Sequence, residues 1–335
     1  MKILLAAACL LAATAAAAKA DGVNPKVIYG DDDRLDLYQV QDPGLLSLAD
    51  STVALFEGSA VTAAGGRATL ATQPYGSAYG LCKEEPFFDQ VIGAFCSGSL
   101  VAPDVIMTAG HCVTSQERCQ GIKFVFGYGI KTQGVNPASV AEGDVYGCKQ
   151  LLGREQIGNG QDWALIKLDR PVTGHNPLRV NTTVPVQDGD PLFVIGHPAG
   201  LPTKVAGGAK VRKANPTQDD GQGHPIELKG FFQANLDTYG GNSGSAVFNG
   251  RTGVVEGILV RGETDYVYTD KGCRVSNRCA ADACRGEDVT KASFVPFNGP
   301  FAPPEGSVRS STRLMAVGKN FAALLRQAES LTTQQ

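Results

Sequence analysis

Three short segments carry the residue types of a nucleophilic hydrolase site: Thr108-Ala109-Gly110-His111-Cys112, Asp162-Trp163-Ala164-Leu165-Ile166 and Gly240-Gly241-Asn242-Ser243-Gly244-Ser245. A serine hydroxyl is a poor nucleophile near neutral pH. It needs an imidazole to take its proton, a carboxylate to hold that imidazole in the right tautomer, and amide donors for the oxyanion. His111, Asp162 and Ser243 are the types that supply the first three parts. The glycines before Ser243 let the backbone turn so that the N–H groups of Gly241 and Ser243 face one spot.

Each segment alone is ambiguous. Gly-Asn-Ser-Gly-Ser can be an ordinary turn, Ala-Gly-His-Cys a loop with a structural cysteine, and Asp162 a satisfied polar group beside Trp163. Their order, His then Asp then Ser, each next to a strand-like apolar run, describes one catalytic constellation. Among the other histidines of the exported chain, His175, His197 and His224, none follows a strand ending in small residues as His111 follows 105–109. His197 and His224 stand in Gly-His-Pro contexts that read as loop surface. Asp144 and Asp169 compete with Asp162, but only Asp162 immediately precedes a buried-type strand that would desolvate its carboxylate. A G-x-S-x-G elbow is absent because Ser245 stands where its second glycine would be.

The elements that must position these residues are short β-type runs separated by Gly, Pro, Asn and Asp: 52–56, 98–102, 105–109, 122–128, 163–168, 191–195, 231–236, 245–248 and 253–260. Many short strands, with glycine abundant at 41 residues, predict an antiparallel barrel or sandwich. Helical spacing is clear only at 313–328, where Leu314, Val317, Phe321, Leu324 and Leu325 recur.

The chain opens with Met1-Lys2, an apolar run to Ala18 and Ala18-Lys19-Ala20, which predicts a signal peptide over 1–20 with cleavage before Asp21. The run is too short to span a bilayer. Its removal takes Lys2 and Lys19 from the 30 basic residues and leaves 28 against 33 acidic ones, a net of −5. That balance argues against nucleic acid as the main partner. Eight cysteines then remain, Cys82, Cys96, Cys112, Cys119, Cys148, Cys273, Cys279 and Cys284, and an even count in an exported chain implies disulfides. Zinc at Cys273, Cys279 and Cys284 is the competing reading, disfavoured because no histidine lies nearby. The expectation is an exported protein, secreted or else periplasmic, with no membrane insertion, metal or cofactor.

These residues resemble the chymotrypsin-fold serine peptidases, most closely their bacterial, glutamyl-endopeptidase-like branch. The resemblance rests on Phe95-Cys96-Ser97-Gly98-Ser99-Leu100, Met107 to Cys112, Asp162 to Leu168, Asp237 to Ser245 and Val255 to Gly262. It implies an all-β fold of two antiparallel β-barrels with the active site in the cleft between them, plus a C-terminal helix. The division is then 21–50 as an N-terminal arm or propeptide, 51–180 as the first barrel with His111 and Asp162, 181–300 as the second with Ser243 and a Cys-rich loop, and 301–335 as a tail. It also implies a Cys96–Cys112 disulfide around His111, an oxyanion hole from Gly241 and Ser243, and substrate binding by Asp237, Thr238, Val260 and Gly262. Asp237, at the expected base of the side-chain pocket, favours Arg or Lys in the substrate, with Arg261 close enough to neutralise it. Leu259 stands where glutamate-specific relatives carry histidine. Val260 replaces a serine that often supports the orienting acid, so weaker support for Asp162 is expected. Asn242 replaces the aspartate that pairs with a freed N-terminus in trypsin-like zymogens. The implied activity is peptide-bond hydrolysis on protein or peptide substrates. The alternative is a catalytically silent homologue acting as a protein-binding module.

Overall fold

The structure, a computed structural model, describes residues 27–297; the expected signal peptide and the helix at 313–328 lie outside them. Two closed six-stranded antiparallel barrels make up most of the fold. The first contains Thr52–Glu57, Cys96–Ala102, Val105–Thr108, Ile122–Phe126, Val145–Gln156 and Asp162–Leu168. The second contains Pro191–Gly196, Lys204–Lys213, Phe231–Ala234, Ala246–Asn249, Val255–Arg261 and Glu287–Lys291. It closes where Pro191–Gly196 pairs with Lys204–Lys213. Closure leaves no open sheet edge within either barrel.

Strand alternation explains how the barrels meet. Successive side chains point to opposite faces, so Leu192 and Val194 fill the second barrel while Phe193 and Ile195 face the first. The same division separates Val247 from Ala246 and Phe248, and Leu259 from Ile258 and Val260. One apolar cluster therefore runs from Leu55, Ile106 and Phe124 across to Phe193, Phe248 and Ile258. Strands buried on both faces read as continuous apolar runs, which is why the sequence shows them plainly.

Three barrel strands carry no such signal. Val145–Gln156 is half exposed along its length, whereas Lys204–Lys213 and Glu287–Lys291 begin on buried charges. Lys204 donates to Asp36 at 2.5 Å, and Asp288 accepts from Arg261 at 2.8 Å. Such pairs place charged residues where composition alone predicts loops.

Residues 27–50 are built into this folded unit. Ile28–Tyr29 pairs in parallel with Arg278–Cys279, and Arg34–Asp36 adds a seventh strand beside residues 204–206 of the second barrel. The helix Pro43–Ala49 follows, its first N–H groups capped by the Asp42 carboxylate, with Leu45 and Ala49 in the core.

The eight cysteines pair as Cys82–Cys273, Cys96–Cys112, Cys119–Cys148 and Cys279–Cys284. The Cys96–Cys112 bridge spans 16 residues and ties a strand to the histidine loop. Replacing both cysteines by alanine should cost about 3 kcal/mol of stability in urea denaturation, from the loop-closure entropy restored to the unfolded chain. A loss below about 1 kcal/mol would contradict that role.

Candidate active site

Asp162 starts a strand that pairs with Val105–Thr108, Ala164 opposite Thr108. The ladder therefore brings the acid beside the loop that begins three residues later at His111. The Asp162 carboxylate contacts His111 twice: Oδ1 accepts the backbone N–H at 3.1 Å, and Oδ2 lies 2.7 Å from Nδ1. An ionised carboxylate only accepts, so it fixes the proton on Nδ1 and leaves Nε2 as the base. Gly110 makes the approach possible, since a Cβ there would meet the carbonyls of Glu155 and Trp163, the latter at 2.8 Å.

The backbone of Asp162 is held from the other barrel. Its N–H donates to Thr290 Oγ1 at 2.9 Å, and that hydroxyl donates back to the Asp162 carbonyl at 3.1 Å. Thr290 was not identifiable from the sequence, where only Val260 marked the place of a supporting group. The one pattern cue is that Thr290 lies in a charged strand, Glu287–Lys291, that lacks an apolar run.

Ser243 sits in the loop before Ala246–Asn249. Gly241 and Gly244 adopt φ of +87° and +90°, the left-handed region that glycine occupies without strain. Both are also pressed against backbone: a Cβ on Gly241 would lie 2.6 Å from the His197 carbonyl, and one on Gly244 would overlap Ser97 O and Thr108 Oγ1. Ser97 stitches this loop to the first barrel. Its N–H donates to Ser243 O at 2.8 Å, its hydroxyl donates to Gly241 O at 2.8 Å, and its carbonyl accepts from Thr108 Oγ1 at 2.6 Å. Asn242 accepts from the Ser245 hydroxyl at 3.2 Å, a local bond rather than an ion pair. The N–H groups of Gly241 and Ser243 find no acceptor among the described residues, which leaves two donors for a developing oxyanion.

His111, Ser243, Gly240 and Gly241 line one open cleft of about 500 Å³, with Tyr79 and Arg118 on its walls. No hydrogen bond within 3.5 Å joins His111 to Ser243 among the described residues; catalytic contacts of this kind often tighten only around substrate.

The four expected substrate-binding residues do not line this cleft. Asp237 is buried, and both its carboxylate oxygens are taken by backbone N–H groups of Tyr29 and Asp33, at 2.7 and 2.9 Å. Burial pushes its carboxyl well above the usual range, against the pull of those two donors. Arg261 does not neutralise it: that guanidinium bonds Asp288 at 2.8 Å and the Gly160 carbonyl at 2.6 Å. Thr238 and Gly262 instead meet at Glu287. The Thr238 hydroxyl donates to Glu287 Oε2 at 3.0 Å, and Gly262 lies so close that a Cβ would overlap that carboxylate. Val260 is fully buried between the barrels.

His197, expected on a loop surface, is 1% exposed. Its backbone N–H donates to Ser97 Oγ at 2.9 Å, Nδ1 bonds the Leu201 carbonyl at 3.1 Å, and Nε2 has no hydrogen-bond partner among the described residues. Burial lowers its pKa to about 3, so the ring is neutral at ordinary pH.

Fold and site together define a chymotrypsin-fold serine peptidase. Residues 96–258 match the family model described as the trypsin-like peptidase domain. Chymotrypsin-like elastase family member 3B of Homo sapiens is 31% identical over 93 residues, 28% of this chain and 34% of that protein. Proproteinase E of Bos taurus is 27% identical over 130 residues, 38% of this chain and 48% of that protein. The chain thus spans about a third to a half of the curated relatives it matches. Among solved structures, a Glu endopeptidase in complex with MPD aligns with a TM-score of 0.41 at 17% identity, covering 80% of this chain and 94% of that one.

Two outcomes follow from this geometry. Thr290→Val strands the Asp162 N–H in a buried site, so acylation of Ser243 by a fluorophosphonate should slow about tenfold. An unchanged rate in a folded variant would remove Thr290 from the site. His197 is neutral in the fold but titrates near 6.5 when unfolded, so the unfolded state binds more protons between those values. Its stabilising contribution is complete above about pH 6.5 and is lost as the pH falls towards 3. The slope of unfolding free energy between pH 4 and 6 should therefore drop by about 1.4 kcal/mol per pH unit in His197→Asn. Parallel slopes in urea titrations would refute it.

Proposed function

We propose that this protein is an exported serine endopeptidase that cleaves peptide bonds through an acyl-enzyme on Ser243. The observation that carries this reading is the double contact of the Asp162 carboxylate with His111, in a cleft shared with Ser243 and its two unused N–H donors. His111 Nε2 takes the Ser243 proton as Oγ attacks the substrate carbonyl, and Asp162 stabilises the imidazolium that forms. The N–H groups of Gly241 and Ser243 hold the oxyanion, and His111 then protonates the leaving amine. Water repeats the sequence on the ester. The signal-like N-terminus and four disulfides support export into an oxidising compartment.

Substrate preference is a finer part of the same proposal. Arg or Lys remains the favoured side chain, with small or apolar ones next and Glu last, but the acid that selects it is Glu287 rather than Asp237. Glu287 is buried between Thr238 and Gly262, where its carboxylate accepts from the Thr238 and Tyr29 hydroxyls and the Glu263 N–H, whereas both oxygens of Asp237 accept backbone N–H groups of the arm. A buried carboxylate reached by a substrate side chain favours a cation, which offsets its desolvation.

Intact-mass analysis after fluorophosphonate treatment should show one adduct on Ser243, absent in Ser243→Ala, and that variant should lose several orders of magnitude in kcat. A wild type inert to the probe and to peptide libraries would favour the binding-module alternative. In a positional-scanning library, Glu287→Gln should erase the Arg/Lys preference; dominant cleavage after Glu by the wild type would sink it.

A further inference from the structure

We infer that the N-terminal arm, residues 27–36, is a clamp that acts through Asp237 to hold the serine loop in its oxyanion-binding shape. This rests on Ser243 being the nucleophile. Asp237 stands six residues before Ser243, at the start of the loop that carries both oxyanion donors. Its two oxygens receive the N–H groups of Tyr29 and Asp33, and Thr238 N–H donates back to the Val27 carbonyl at 3.4 Å. The arm and loop therefore bond in both directions.

The strand pairing makes the Tyr29 donor available. In the parallel ladder with Arg278–Cys279, Ile28 N–H goes to Asn277 O at 3.1 Å and Gly30 N–H to Cys279 O at 2.8 Å. Alternate N–H groups of a strand point to opposite sides, so the Tyr29 N–H turns away from that partner and onto Asp237. Arg34 adds a second hold. It is gripped by Asp32 at 2.7 and 2.6 Å and lies over the Tyr239 ring, 4.3 Å from its centroid. Ile28 packs in one buried cluster with Tyr239, Ala199 and Leu201. From Tyr239 the path to the donors is short: its carbonyl accepts the Asn242 N–H at 3.0 Å, and Gly240 O accepts from Ala199 N–H at 2.5 Å.

The clamp uses internal backbone donors, so an α-amino group has no part in it. That fits Asn242, which offers no charge to such a group. A buried carboxylate is strongly disfavoured unless its lone pairs are satisfied, so opening the arm would drive Asp237 towards solvent and pull the loop with it.

Full-length variants test this. Tyr29→Pro deletes the Tyr29 N–H, one of the two given to Asp237, and leaves the ladder bonds of Ile28 and Gly30 in place. Asp237→Asn turns an amide donor against one of the two N–H groups. Each should slow fluorophosphonate acylation of Ser243 at least about tenfold through the maximal rate rather than probe affinity. The double variant should be no slower than the more impaired single, because both remove one interaction. Asp31→Ala, an exposed change in the same arm, should leave the rate within about twofold. Hydrogen exchange supplies a readout independent of activity: amides 239–245 should exchange faster in Tyr29→Pro, also on a Ser243→Ala background. Unchanged exchange and acylation in folded Tyr29→Pro would overturn the clamp. Faster exchange in a protein whose wild type is never labelled would keep the clamp and remove the peptidase reading instead.

Discussion

The constraint on which everything else depends is that a catalytic unit split between two barrels needs those barrels fixed to hydrogen-bond precision. Apolar packing alone does not supply this, because burial of hydrophobic surface is non-directional. The cluster from Leu55 to Phe248 holds the barrels together, and buried polar contacts set their alignment. Ser97 ties the serine loop to the strand before the histidine loop, and Thr290 ties the second barrel to Asp162. Both side chains are fully buried, so a shift of an ångström would leave unsatisfied groups in a dry interface.

The glycines act in the same frame. Gly110, Gly241 and Gly244 each occupy a place where a Cβ would collide with backbone or polar atoms of another segment. Their positions bring the histidine loop, Asp162 and the serine loop closer than side chains would permit. Preorganisation of this kind means that little rearrangement is needed when charge develops.

Several other buried charges are matched by an opposite one. Lys204 meets Asp36, Arg34 meets Asp32, and Asp288 meets Arg261 and Arg285. Although burial opposes it, Arg34 holds the Asp32 carboxyl below its usual range, whereas burial lowers Lys204 to about 8 despite Asp36. Two of these pairs attach the arm to the second barrel or brace it internally, so the arm is specified by complementary charge as well as by Val27 and Ile28. Ion pairs of this kind add little net stability over apolar packing, but a mispaired arrangement would be costly.

Local chemistry made the core of the site legible in the sequence. Gly-Asn-Ser-Gly-Ser, Ala-Gly-His-Cys and Asp-Trp-Ala-Leu-Ile each join a reactive type to the strand or turn that carries it, and the doubly buried strands announce themselves as apolar runs. Those short runs predict an antiparallel barrel or sandwich, and the pair of barrels is what the family resemblance implies. Tertiary structure alone decided the rest, because those features depend on residues far apart in the chain. Thr290 reaches Asp162 across 128 positions, Tyr29 reaches Asp237 across 208, and Glu287 comes between Thr238 and Gly262 only when the second barrel closes. An acid six residues before the serine looks the same in sequence whether it faces a pocket or a neighbouring arm. Which of the two it meets depends on where that arm lies, and neighbouring residues carry no record of that.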